Sequence, residues 1–103
     1  LLSGYNFRMT PQTLADVTPG GTATPLTADK NLQAVWVTIS APAANAADLR
    51  VGDSNVSSSR GCVIPKGTSF TFQRGDFGQQ AYLLSAIYVY GTTTDKASIT
   101  YGI

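Results

Sequence analysis

Few side chains in this chain could do chemistry. All six carboxylates are aspartates; beside them stand three lysines, four arginines, one cysteine and the run Ser57-Ser58-Ser59, with neither histidine nor glutamate in the 103 residues. A serine nucleophile needs a base within hydrogen-bonding reach. Without an imidazole that base would be Lys30, Lys66 or Lys96 in a desolvated site, yet each falls at a predicted turn or element end, where water keeps the amine charged. Paired aspartates could hydrolyse a glycosidic bond. Each Asp, however, borders a predicted turn, where its oxygens accept local amide protons. The inventory predicts a protein that is not an enzyme, with no catalytic residue, no cofactor and no metal site.

Short motifs lead to the same conclusion. Gly75-Asp76-Phe77-Gly78 contains the kinase tripeptide, but the phosphate loop, strand lysine and catalytic-loop Asp that give it meaning are missing. It reads as a Gly-flanked turn. Asp53-Ser54-Asn55 begins like a calcium loop, yet the glycine position holds Ser58 and the twelfth position holds Ile64 in place of the bidentate acid. It reads as an Asx turn. Asn55-Val56-Ser57 matches a glycosylation triplet with nothing else to indicate that route. The single Cys62 cannot close a disulfide within the chain and is expected to be a small core residue.

Composition bounds the rest. A chain of this length forms one domain. Only 13% of residues are charged and the net charge is +1, too little to draw the protein to DNA or an anionic membrane. Arg8, Arg50, Arg60 and Arg74 are dispersed and balanced by Asp48, Asp53 and Asp76, so neither nucleic acid nor membrane is an expected partner. No apolar stretch approaches a membrane span of about eighteen residues. No signal-peptide layout precedes the core. Leu1 is not a translated start, so residues upstream are expected.

Alternation of apolar and polar residues, the signature of half-buried strands, recurs along the chain. Val35, Val37 and Ile39 alternate with Trp36, Thr38 and Ser40; Leu49 and Val51 flank Arg50; Phe70 and Phe72 flank Thr71. Ile87 and Val89 alternate with Tyr88 and Tyr90, and Ala97, Ile99 and Tyr101 with Ser98 and Thr100. Cys62–Ile64 adds a short strand. Turn chemistry separates them at 41–45, 53–55, 65–67 and 91–95, the last expected to be a hairpin loop. Residues 76–84 are less regular, with one helical turn or a loop at 79–81. The pattern predicts an all-β protein: a single β-sandwich or small β-barrel of about seven or eight short antiparallel strands over residues 31–103. Residues 1–30 hold three of the five prolines, which makes poor central strands. They read as an extended N-terminal arm with edge strands at 5–9 and 13–17. Trp36, Tyr88 and Tyr90 fall opposite the Val/Ile face, so the arm folds over them or they meet another protein.

Two stretches carry a family resemblance. Leu49-Arg50-Val51-Gly52-Asp53-Ser54-Asn55-Val56-Ser57, then Arg60-Gly61 and Ile64-Pro65-Lys66-Gly67-Thr68-Ser69, form the first. Ile87-Tyr88-Val89-Tyr90-Gly91-Thr92 with Asp95-Lys96-Ala97-Ser98-Ile99-Thr100-Tyr101 forms the second. Together they resemble small tailed-bacteriophage virion proteins of the capsid decoration (cement) and head-fibre type, over about half of the chain.

The resemblance implies a structural virion protein on the outer capsid surface. It would bind major capsid subunits non-covalently and stabilise the shell as a homo-oligomer, a trimer or dimer. Tyr5, Phe7 and Met9 on the arm, with Trp36, Tyr88 and Tyr90 on the sheets, are the expected interface residues. The alternatives are a surface-binding module for a glycan or host receptor, with the three sheet aromatics as stacking platforms, and a fibre-anchoring domain.

Overall fold

The computed structural model describes residues 10–75 and 81–103. The fold is all-β, with ten short strands and one 3-10 turn, at Leu84–Ala86, among the described residues. The strands are β1 (Pro11–Val17), β2 (Thr24–Pro25), β3 (Gln33–Ala34), β4 (Trp36–Ser40) and β5 (Leu49–Gly52), followed by β6 (Cys62–Ile64), β7 (Ser69–Phe72), β8 (Tyr82–Leu83), β9 (Tyr88–Tyr90) and β10 (Ala97–Gly102). Two four-stranded antiparallel sheets, in the orders β1-β10-β4-β7 and β2-β9-β5-β6, pack as a sandwich; β3 and β8 form a separate two-stranded ribbon.

The pairing has a simple rule. The first strand pairs with the last, the second with the ninth, the third with the eighth, the fourth with the seventh, and the fifth with the sixth. The chain is one long hairpin, doubled back at the β5–β6 turn and rolled so that alternate segments join opposite sheets. Leaving aside β3 and β8, this is the strand order of an eight-stranded jelly roll, an arrangement that recurs in viral capsid and lectin domains.

Alternation fixes the register. Leu14, Ile99, Ile39 and Phe70 lie in one row across the first sheet, and Tyr101, Val37 and Phe72 in the next. Val37, Ile39 and Ile99 are buried against Leu49, Val51, Ile64 and Val89 of the second sheet. Burying one such side chain contributes about 1.5–3 kcal/mol. A slip of one residue would expose the whole row, so burial outweighs the ~0.2–1 kcal/mol of any cross-strand pair.

Residues 11–30, read from sequence as part of an arm, carry β1 and β2, each an edge strand of a main sheet. β1 contains the expected 13–17 strand. Between Leu14 and Val17 its register shifts, so that both residues face the core although three positions apart. Such a bulge twists and blunts an exposed edge. The expected strand at 5–9 and the helical turn at Gln79 and Gln80 lie outside the described residues, as does most of the Gly75–Gly78 turn.

Three expectations need correction. The 91–95 segment is not a hairpin loop, because β9 and β10 belong to different sheets and it crosses between them. Cys62 is not in the core: it lies opposite Val51 on β6, an edge strand among the described residues, and its thiol is exposed. Val35 does not continue the Val37/Ile39 row. It is half-buried, precedes the regular strand and donates its amide proton to the Gly102 carbonyl (2.9 Å).

Polar groups clasp two of the sheet-crossing connections, 41–48 and 91–96. Asp95 is 2% exposed. Its carboxylate accepts the Ala46 and Ala47 amides (2.7 and 3.0 Å) and the Thr92 hydroxyl (2.7 Å). The Asn45 side chain, beyond its place in a turn, donates to the Lys96 carbonyl (2.9 Å) and accepts the Lys96 amide (3.0 Å). The Ala46 amide above all, then the Thr92 hydroxyl, hold the Asp95 carboxyl below its ordinary value of 3.8, against the opposing effect of burial.

A lowered native value means that ionised Asp95 stabilises the fold above the unfolded value, and that this contribution is lost as pH falls through the lower native value. Asp95→Asn is therefore expected to lower the thermal midpoint at neutral pH. The gap from the parent protein should narrow steadily below pH 3.8. A gap independent of pH, measured by circular dichroism melts across that range, would contradict the clasp.

Candidate functional site

Among the described residues no group of three or more Cys or Asp side chains is placed to hold a metal ion. No helix of the described residues is long and apolar enough to cross a membrane. What the fold organises is its two outer sheet faces.

On the first sheet, each strand sends its polar residues outward in register. Thr13, Thr100, Thr38 and Thr71 form one row across all four strands, and Ser98, Ser40 and Ser69 the next. The Thr38 and Thr71 hydroxyls are 2.8 Å apart and share a hydrogen bond. Trp36 lies at the other end of this face, paired in register with Gly102. The indole packs directly over the glycine: an added Cβ at Gly102 would overlap the ring, 2.5 Å from Cε2 and 2.8 Å from Cδ1. Covering a strand glycine with a neighbouring aromatic restores the packing that the missing side chain cannot give. The half-exposed remainder of Trp36 borders an open cleft of about 340 Å³, lined also by Val35, Thr71, Gln73 and Arg74.

The second sheet presents a different outer face. Tyr88 lies between Pro25 and Gly52, and Arg50 between Tyr90 and Val63. Both tyrosines are half-buried, and Val63 is 42% exposed on the edge strand. Arg50 Nη1 donates to the Gly61 carbonyl (3.1 Å), which holds the guanidinium across the neighbouring strand. This face has aromatic rings, an aliphatic side chain and an anchored arginine where the other has hydroxyls.

The sequence-expected residues are thus divided. Trp36 sits on one outer face, Tyr88 and Tyr90 on the opposite one, and the structure does not bring the three together. Tyr5, Phe7 and Met9 lie outside the described residues. Sequence reasoning missed Arg74, Gln73 and Thr71 beside Trp36, and Arg50 and Val63 beside the tyrosines. Strand parity marks Thr71, Arg50 and Val63 as outward; only register could group them.

No family model and no curated protein matches the chain. Among solved structures, it is similar to a Bacillus endospore appendage protein described as one of a novel family of disulfide-linked pili. The likeness covers 100% of this chain and 97% of that one, at 15% identity and a TM-score of 0.47. At that level it carries nothing further to this chain.

Trp36 is the chain's one tryptophan, so its fluorescence reports this face directly. Gly102→Ala is expected to push the indole off the sheet, shift its emission to longer wavelength and cost about 1–3 kcal/mol of stability, as overpacking does. An unchanged spectrum with unchanged urea unfolding would show that the ring does not rest on Gly102.

Proposed function

We propose that this chain is a non-enzymatic structural protein of a tailed-phage virion, decorating the outer capsid surface as a dimer or trimer. The outer face of the β2-β9-β5-β6 sheet is its docking surface. The observation that carries this reading is the composition of that face: Tyr88, Tyr90 and Val63 around an Arg50 already fixed by the Gly61 carbonyl. Tyrosine and arginine are the side chains that most often anchor protein interfaces. An arginine held in place before binding loses less freedom when a partner arrives.

Other features support the reading without deciding it. The jelly-roll strand order is shared with viral capsid domains, an analogy of fold and not of site. The resemblance of residues 49–101 to capsid decoration proteins points the same way. The small net charge suits attachment by packing more than by steering. Symmetry on a shell multiplies individually weak contacts. The segment bearing Tyr5, Phe7 and Met9 precedes edge strand β1 and would supply contacts to a neighbouring subunit, the major capsid protein or a second copy.

The test is attachment. The purified protein is mixed with stripped heads of the phage that encodes it, and bound protein is measured after sedimentation. Tyr88→Ala combined with Tyr90→Ala is expected to weaken attachment by about tenfold or more, the scale of hot-spot loss. The thermal midpoint should move little, because both rings lie outside the core. Attachment equal to the parent's would overturn the docking surface, and failure of the parent itself to attach would overturn the virion role.

A further inference from the structure

Four strands border the two main sheets: β1, β7, β2 and β6. An edge strand presents unpaired N–H and C=O groups, and proteins guard such edges. β1 carries the bulge between Leu14 and Val17, while β2 has only two residues and ends in Pro25. β7 runs into the connection that contains residues 76–80. β6 has neither bulge nor proline within Cys62–Ile64, and among the described residues no strand lies on its free side.

Both faces of β6 are open as well. Val63 points outward and is 42% exposed. Cys62 shares the inward parity of buried Ile64, yet it is exposed. The row of Val89, Val51 and Cys62 is thus covered at Val89 and Val51 and uncovered at its β6 end. A strand added there would satisfy the free backbone groups, and its apolar side chains at alternate positions would close the open end of the row.

The chain itself contains a segment of that description. Tyr5, Phe7 and Met9 alternate with Asn6 and Arg8, the pattern of a strand with one apolar face. We propose that residues 5–9 of one copy add as a strand to the β6 edge of a second copy. This rests on the homo-oligomer proposed above and names its contact. Chain length selects the second copy over the same one. The segment joins β1 through Thr10, and β1 lies three strands from β7, to which the 65–68 turn connects β6 in the opposite sheet. Three strand spacings of about 4.8 Å and one sheet spacing of about 10 Å therefore separate β1 from β6. Met9 is one Cα step of about 3.8 Å from Thr10, so residues 5–9 cannot lie along β6 of their own chain. Exchange of the segment between two copies closes a dimer, and a head-to-tail cycle closes a trimer.

Sedimentation of the isolated full chain tests this without any particle, so its failure is distinct from a failure to attach to heads. The parent is expected to self-associate as its concentration rises. Tyr5→Asp combined with Phe7→Asp spoils the donor strand, and Cys62→Lys spoils the acceptor edge; each variant alone should associate about tenfold more weakly or worse. Mixed together, the two should form a heterodimer, because each retains the half that the other lacks. Cys62 is exposed, so its substitution leaves the core intact, which thermal melts check. A parent that stays monomeric, association that survives either variant, or a mixture that fails to associate would each overturn the proposal. So would a donor variant that melts well below the parent while associating as the parent does, since the segment would then pack on its own chain.

Discussion

The alternation of buried and outward residues, combined with nested antiparallel pairing, is the constraint on which the rest of this structure depends. The strands of the two main sheets bury rows of apolar side chains between them, and those rows fix register because no neighbouring register buries them as well. Once register is fixed, the outward residues follow. Thr13, Thr100, Thr38 and Thr71 come into line on one face, while Tyr90, Arg50 and Val63 come into line on the other. The two faces differ in chemistry because the same pleat sorts two different sets of polar positions.

Nesting raises a second problem. A rolled hairpin must cross repeatedly from one sheet to the other, and crossing segments carry backbone groups that no ladder satisfies. Asp95 and Asn45 answer this where two crossings meet. Their side chains take up the Ala46, Ala47 and Lys96 amides and the Lys96 carbonyl, in the manner of a backbone bridge. A buried carboxylate is costly unless hydrogen-bonded, and this one has three donors. Sequence chemistry marked both residues as turn formers; their larger role is to tie one corner of the sandwich to the next.

Much of the fold was legible in the sequence. Period-two patterning marked 35–40, 49–51, 69–73, 87–90 and 97–101, each within a residue of a strand's observed ends, because a half-buried strand leaves a local trace; the short strand at 62–64 was also expected. Turn chemistry located the Asx turn, where Asp53 accepts the Asn55 amide, and the 65–68 turn, where Gly67 takes a positive φ of 84°. Pairing was not legible, since it depends on contacts far apart in sequence. For that reason 91–95 read as a hairpin when it is a crossing, and Cys62 read as core when its strand is an edge. The site suffered most from the same blindness. Trp36, Tyr88 and Tyr90 share an outward parity, but parity does not say which sheet a strand joins, and the three divide between opposite faces.

The molecule that emerges has a closed aliphatic core and two outer faces, one aromatic with a fixed arginine, the other hydroxylated around a tryptophan. The proposed role requires that the aromatic face meet the shell while the tryptophan face looks outward. Hydroxyl-radical footprinting of the protein free and bound to particles, read residue by residue by mass spectrometry, tests it most directly. Tyr88 and Tyr90 are expected to become protected on the particle while Trp36 stays as reactive as in the free protein. Protection of Trp36 with Tyr88 and Tyr90 unchanged would contradict the claim.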